Sequence, residues 1–250
     1  MLRFNAALLA LILSASAARA QWTVVAAQSE FSTGKLVEHR HVVAKSDTGA
    51  EAKLELALFS SKSATLRVID DPNANSSLAE MMSREHCLAG TNGGYFDPNY
   101  APVGLLVSDG HMIAPLRKAR LLSGVVSAVN GRVRIQRPSE FSTKSKASAA
   151  RQCGPFLLDR GKPIAGLNET RSARRTFVAT SSGDGAAIGY STYLTLAQLA
   201  ALLATPDLKL QRALNLDGGS SSGFWFAGEN GVFSVREQKT VRDYIAVVPK

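Results

Sequence analysis

The chain has 250 residues, 45% of them hydrophobic and 20% charged, with 20 Gly and 9 Pro. That balance supplies a sizeable core and excludes collagen-like, coiled-coil and low-complexity classes; two cysteines are too few for a disulfide scaffold, and no unbroken apolar run approaches the roughly 20 residues that span a bilayer. The charge is lopsided, 29 Lys+Arg against 20 Asp+Glu for a net +9, which directs attention to anionic partners.

Residues 1–20 read as a secretory signal: a basic start at Arg3, an apolar stretch over 6–13, and small residues at Ala18 and Ala20 on either side of Arg19. Cleavage after Ala20 leaves a mature domain of residues 21–250 in a secreted or periplasmic compartment. In that compartment Cys87 and Cys153 are expected to pair, the alternative being two buried thiols that pack as small hydrophobes. The bridge would close a loop of about 67 residues, worth ~4 kcal/mol on a chain-entropy argument.

Residues 54–59 and 64–69 alternate as two half-buried strands joined as a hairpin. Ser77-Leu78-Ala79-Glu80 is a capping box that opens a helix to about His86. Strands at 121–129 and 132–136 flank Asn130-Gly131, a two-residue hairpin signal. The polar stretch 138–150 reads as a mobile loop. Strands at 176–180 and 186–190 surround a Ser-Gly-Asp-Gly turn, and Thr195-Leu196-Ala197-Gln198 opens a second helix that stops before Pro206. Strands at 232–235 and 244–248 close the chain. The expected fold is α+β: a single domain with a large mixed or mainly antiparallel sheet and a few flanking helices.

The basic charge is concentrated. Between 117 and 151 there are nine Lys or Arg and one acid, Glu140, with Arg171, Arg174 and Arg175 close behind. No nucleic-acid recognition motif accompanies them, so a phosphorylated or anionic glycan fits an exported protein better than nucleic acid does. A plainly solvated face is the alternative.

Three segments carry chemistry. In Thr91-Asn92-Gly93-Gly94-Tyr95-Phe96-Asp97, paired glycines permit close backbone approach, Asn92 offers an amide and Tyr95 or Phe96 an aromatic surface. Arg174 and Arg175 precede Thr176 at the entrance to a strand and supply planar donors for phosphate or carboxylate. An apolar strand ending at Asn215-Leu216 delivers Asp217 to a loop of Gly218, Gly219, Ser220, Ser221, Ser222 and Gly223. A carboxylate at that edge is a general base, a nucleophile or a metal ligand. The serine run also matches a nucleophile elbow with Ser221 at its centre, but His39, His41, His86 and His111 all precede it, and the following Phe224-Trp225-Phe226 reads as strand; that assignment is rejected. The chain lacks a Walker A sequence, a dinucleotide fingerprint and an HExxH helix. No metal or other cofactor is implied.

Taken in order, Asn92-Gly93-Gly94-Tyr95-Phe96, Gln152-Cys153-Gly154-Pro155, Arg175-Thr176 and Asn215-Leu216-Asp217-Gly218-Gly219-Ser220-Ser221 resemble the phosphodiester glycosidase family across 54–248. Its best-known member is the lysosomal uncovering enzyme, and bacterial members are often labelled as exopolysaccharide-biosynthesis proteins. Arg174 departs from the family pattern, which has proline or an uncharged residue there, and the third serine replaces a commoner glycine. The resemblance implies cleavage of a sugar C1–O bond whose leaving group is a phosphate ester. It implies Asp217 as base or nucleophile, Arg175 and Arg174 on the phosphate with Thr176 as a further donor, and Asn92 at the sugar. Gly93, Gly94, Asn215, Gly218, Gly219, Ser220 and Ser221 would line the substrate, and Asp97 or Glu169 would be a second carboxylate. The competing expectations are a non-catalytic anionic-glycan binding or export-assembly protein and a metal-dependent phosphodiesterase cutting the P–O bond.

Overall fold

The computed structural model describes residues 20–250; the expected signal segment lies outside the described residues apart from Ala20. In chain order the elements are β1 (Trp22–Phe31), β2 (Val37–Ser46), β3 (Glu51–Ser60), β4 (Ala64–Asp70), α1 (Leu78–Arg84), β5 (Ala89–Asn92), β6 (Leu106–Ser108), β7 (His111–Ala114), β8 (Gly124–Val129) and β9 (Arg132–Gln136). There follow β10 (Ala149–Cys153), β11 (Phe156–Asp159), β12 (Lys162–Pro163), β13 (Ala173–Ser181), β14 (Gly185–Leu194), α2 (Leu196–Leu203), β15 (Leu210–Asn215), β16 (Phe224–Gly228), β17 (Gly231–Val235) and β18 (Asp243–Pro249).

The strands form three sheets: eight strands in the order β1-β2-β3-β14-β13-β15-β11-β12, five in the order β7-β6-β10-β8-β9, and five in the order β17-β16-β5-β18-β4. Every strand pairing among the described residues is antiparallel. The central core draws on all three, with Phe156, Val178 and Leu214 from the large sheet meeting Val126 and Ile135 from the second and Leu66, Phe224 and Ile245 from the third. The two helices cover outer faces. Leu199, Leu202 and Leu203 of α2 pack on Leu54, Leu56 and Phe177, while Leu78, Met81 and Met82 of α1 pack on Trp225 and Tyr244. The fold is therefore mainly β rather than α+β, and three sheets enclosing a core replace the one large sheet expected.

Local signals are realised where they are local. Both capping boxes form, at Ser77–Glu80 and Thr195–Gln198. Asn130 and Gly131 take left-handed φ values of 50° and 69° and turn β8 into β9. The expected 54–69 hairpin does not form. β3 pairs with β2 and β14 in the large sheet, whereas β4 pairs with β18 at the edge of the third. Both strands are buried on both faces for part of their length, so alternation carries no information about the partner. The 138–150 stretch is not an open loop either: Phe141 and Ala147 are buried, residues 143–145 make a 3-10 turn, and β10 begins at Ala149.

The expected disulfide is also absent. Cys87 lies in the α1-side core and Cys153 in the central core, both as free buried thiols. Burial pushes Cys87 up to about 11 and Cys153 up to about 12, so each stays protonated and packs as a small apolar group.

One buried polar cluster ties the first three strands together. His39 of β2 meets Glu30 of β1 through Nδ1 at 2.8 Å and Glu55 of β3 through Nε2 at 2.9 Å, and His41 Nδ1 meets the other Glu55 oxygen at 2.8 Å. The His39 ring also stacks among Phe224, Phe226 and Phe233 of β16 and β17. Burial pulls the imidazole down, but the hydrogen bonds from Glu55 and Glu30 outweigh it and hold His39 above its usual 6.5. A raised folded value means that the stabilisation is complete below the unfolded value of about 6.5 and is lost as pH rises through the higher folded one. Urea unfolding should accordingly show stability falling as pH rises above about 6.5. His39→Gln should remove that slope and cost about 3 kcal/mol at pH 6; an unchanged pH profile in the variant would refute the assignment.

Candidate active site

The three chemistry-bearing segments converge where the large sheet meets the third. β15 runs antiparallel to β13 with Asn215 opposite Phe177, then leaves the sheet as Leu216 and Asp217. The Leu216 N–H donates to the Thr176 carbonyl at 2.9 Å and the Asp217 N–H to the Gly93 carbonyl at 3.1 Å, so Asp217 bridges two sheets. A cleft of about 330 Å³ opens over it. Buried or half-buried Tyr95, Arg175, Leu196, Asn215, Asp217, Gly218 and Gly219 line it, and the exposed Leu121, Asn168 and Arg171 mark its mouth.

Asp217 accepts the Gly218 N–H on Oδ1 at 2.9 Å. Burial raises its carboxyl above the usual carboxylate value, while Ser221, Lys239 and the Gly218 N–H pull it down and Asp243 adds to the rise. The Ser221 hydroxyl is buried beside it without completing a hydrogen bond. Residues 219–221 form a short 3-10 turn that runs into β16, so no elbow presents Ser221.

Arg175 is 8% exposed. Its Nε donates to the Leu194 carbonyl at 3.2 Å and its Nη2 to the Arg171 carbonyl at 2.8 Å. Nη1 has no partner among the described residues, and neither does the cation as a whole have an acid. Burial, with the like charge of Arg171, lowers its affinity for the proton. A guanidinium held this way is costly unless an anion joins it.

Other expected site residues take different places. Asn92 is buried with every donor used, Nδ2 donating to the Asp217 carbonyl at 2.8 Å and to the Gly93 carbonyl at 3.3 Å. The Thr176 hydroxyl lies 2.9 Å from both Asn92 Oδ1 and the Asp217 carbonyl. Both residues hold the backbone of Asp217 from behind rather than lining the cleft. Arg174, on the opposite face of β13, reaches the Gly219 carbonyl at 3.4 Å and the Arg236 carbonyl at 3.2 Å, clamping the loop from outside. Ser220 is exposed beyond the cleft, its carbonyl taking the Gln238 N–H at 2.7 Å. Asp97 closes its own loop through the Asn99 and Ala101 N–H groups, and Glu169 is exposed beside cleft-lining Asn168. Asp217 is thus the only carboxylate lining the cleft among the described residues. No group of three or more His, Cys, Asp or Glu among the described residues is placed to hold a metal ion.

Asn215 lines the cleft and keeps an unsatisfied acceptor. Its Nδ2 donates to the Gly154 carbonyl at 3.0 Å and the Leu216 carbonyl at 2.6 Å, while Oδ1 is buried without a partner. Tyr95 donates to the Gly154 carbonyl at 2.5 Å. Its phenol is pushed far up by burial and stays protonated. Sequence reasoning passed over Asn168, Arg171 and Leu121 as wall residues. Of these only Arg171 stood out, as one of the basic residues that direct attention to an anionic partner.

Gly93 and Gly94 serve packing. A Cβ on Gly93 would stand 1.8 Å from Asp243 Oδ1, and one on Gly94 2.6 Å from the guanidinium of Arg151. That arginine and Asp243 form an ion pair at 3.0 Å with both side chains wholly buried.

A model of the phosphodiester glycosidase family matches residues 85–248. The chain belongs to that family. It is similar to the uncharacterised protein YigE of Escherichia coli K12, with 28% identity over 160 residues; that stretch covers 60% of this chain and 63% of YigE, so the match spans under two thirds of that relative. Among solved structures, the catalytic domain of zebrafish N-acetylglucosamine-1-phosphodiester α-N-acetylglucosaminidase, auto-inhibited by its pro-peptide, superposes with TM-score 0.67 at 14% identity, over 91% of this chain and 89% of that one. A hypothetical protein from Synechocystis gives TM-score 0.67 at 13% identity, over 86% of this chain and 62% of that chain. At these identities the structural likeness establishes a shared fold. Among the described residues no helix is long and apolar enough to cross a membrane.

The glycine pair of this family member is open to direct test. Because every donor nitrogen of Arg151 is already bonded, its guanidinium has nowhere to move. Gly94→Ala should cost about 2–3 kcal/mol by overpacking, read as a lower urea midpoint; an unchanged midpoint would show that the loop yields.

Proposed function

We propose that this protein hydrolyses the sugar C1–O bond of a glycosyl-1-phosphodiester, releasing free sugar and a phosphate monoester. The observation that carries the reading is Arg175, a nearly buried cation with a free Nη1 and no acidic partner, set in one cleft with a carboxyl whose proton affinity is raised. An anionic phosphodiester would supply the missing charge, and a leaving phosphate would be stabilised most by a donor already in position.

Asp217 is the group at the anomeric side. As a base it takes the proton of a water whose oxygen attacks C1; as a nucleophile it attacks C1 itself and water then cleaves the ester. In either course the C1–O pair of electrons leaves with the phosphate. The Gly218–Gly219 backbone suits the ring edge of the sugar, and buried Asn215 holds the cleft wall through the Gly154 and Leu216 carbonyls. Asn92 and Thr176 act as positioning residues beneath Asp217. Export to a secretory or periplasmic compartment belongs to the same proposal and rests on the amino-terminal sequence pattern.

Incubation with the methyl phosphodiester of α-N-acetylglucosamine 1-phosphate should release N-acetylglucosamine, with oxygen-18 from labelled water in the sugar and none in the phosphate. Asp217→Asn should lower kcat on the order of a thousandfold, and Arg175→Gln about a hundredfold or more. Because Asp217 acts ionised with a raised value, kcat/KM should fall as pH drops through that value, at a pH above the ordinary carboxyl 3.8. Label in the phosphate would establish P–O cleavage instead. Binding of the ester without any product would favour a glycan-binding protein.

A further inference from the structure

The basic run at 117–151 does not act as one surface. Arg132 pairs with Asp184, Arg137 with Asp159, and Arg151 is buried against Asp243. Arg117, Lys118 and Arg120 are exposed, and their side chains have no hydrogen bond or ion pair among the described residues. They lie in the irregular segment that leads into the 119–122 turn, whose Leu121 is an exposed residue of the cleft lining.

That segment is held in place. The Gln152 side chain accepts the Arg117 N–H at 2.9 Å and donates to the Arg117 carbonyl at 2.7 Å and the Leu122 carbonyl at 3.1 Å. The Leu122 N–H closes the turn on the Ala119 carbonyl at 3.1 Å. The Leu121 carbonyl packs so closely on Gly154 that a Cβ there would stand 2.2 Å away. Gly154 in turn takes the Tyr95 hydroxyl and precedes Pro155, itself in the cleft wall. Arg171 adds a further exposed cation at the same mouth.

A cleft of about 330 Å³ lies at the small end for small-molecule sites and takes little more than one sugar ring with its phosphate. Whatever is esterified to that phosphate must emerge past the mouth. We infer that the exposed 117–120 segment forms a second anion subsite there, and that the preferred substrate carries another phosphate beyond the scissile one. Its direction along the substrate rests on the glycosidase reading; the subsite itself requires only that the mouth bind an anion. The second phosphate has two chemical sources, the adjacent phosphate of a nucleotide sugar or the next repeat of a phosphate-linked glycan.

The test compares the wild-type protein with the triple variant R117Q/K118Q/R120Q on three substrates: the methyl phosphodiester of N-acetylglucosamine 1-phosphate, UDP-N-acetylglucosamine, and a two-repeat glycosyl-phosphate oligomer. Exposed charge contacts are worth about twofold each, so kcat/KM for whichever two-phosphate substrate fits should exceed that of the methyl ester about tenfold, and the triple variant should abolish the ratio. The nucleotide or the oligomer showing the ratio identifies the source. A ratio that the variant leaves intact, or two-phosphate substrates no better than the methyl ester in the wild type, overturns the subsite while leaving the glycosidase reading standing. Should nothing be turned over, calorimetric titration with methyl diphosphate against methyl phosphate decides separately. Preference for the diphosphate that vanishes in the triple variant keeps the subsite and sinks the glycosidase; preference absent or unchanged sinks the subsite too.

Discussion

The Arg151–Asp243 ion pair lies where the second and third sheets meet, and the 93–95 loop beside the candidate site is moulded around it. Arg151 sits on β10 and Asp243 at the start of β18, and both side chains are shut off from water. Burying two charges costs several kcal/mol per ion before any gain from pairing. The cost is offset by saturation of the cation. Besides Asp243, Arg151 reaches the Val103, Leu105 and Gln152 carbonyls through Nη1 and the Tyr95 carbonyl through Nη2, the last at 2.6 Å. The Gly94 N–H donates to the same Asp243 oxygen at 3.2 Å. The loop can lie this close only because residues 93 and 94 lack a Cβ. The pair therefore fixes the backbone of Tyr95, a wall of the cleft, and the Gly93 carbonyl that receives the Asp217 N–H.

A second buried arginine shows the opposite arrangement. Arg175 has carbonyl partners but no acid, and it sits at the floor of an open cleft rather than inside a core. The contrast assigns the two cations different work. Arg151 is neutralised and organises the fold, whereas the charge of Arg175 is left uncompensated toward the space a substrate would fill. Placing a carboxyl of raised proton affinity in that space keeps the local field positive at low pH and balances it once Asp217 ionises.

Features governed by neighbouring residues were legible in the sequence. Ser77–Glu80 and Thr195–Gln198 cap helices and Asn130-Gly131 turns a hairpin because each depends on a few consecutive residues. The convergence of Asn92, Arg175 and Asp217 on one place was legible only through their resemblance to a family. What was hidden depends on long-range partners. The crossing from β3 to β4 between sheets is decided by β18, far along the chain. Arg151 reads as one more member of a basic run until Asp243 is brought to it. Asn92 and Thr176 have the residue types of substrate contacts, yet their donors are consumed by the Asp217 backbone, a fact fixed by three strands at once.

Among the described residues a single carboxylate lines the cleft, which fits the chemistry proposed for it. A glycoside with an alcohol leaving group needs a second acid to protonate the departing oxygen, which is why paired carboxylates flank such bonds. A phosphate monoester departs as a stable anion, so the demand shifts from proton donation to charge stabilisation, and a preorganised guanidinium meets it better than an acid would. A second carboxylate beside Arg175 would neutralise the cation and repel the phosphodiester. Asp97 and Glu169, turned to their own loop and to solvent, leave that cation unopposed by any second acid in the cleft wall among the described residues.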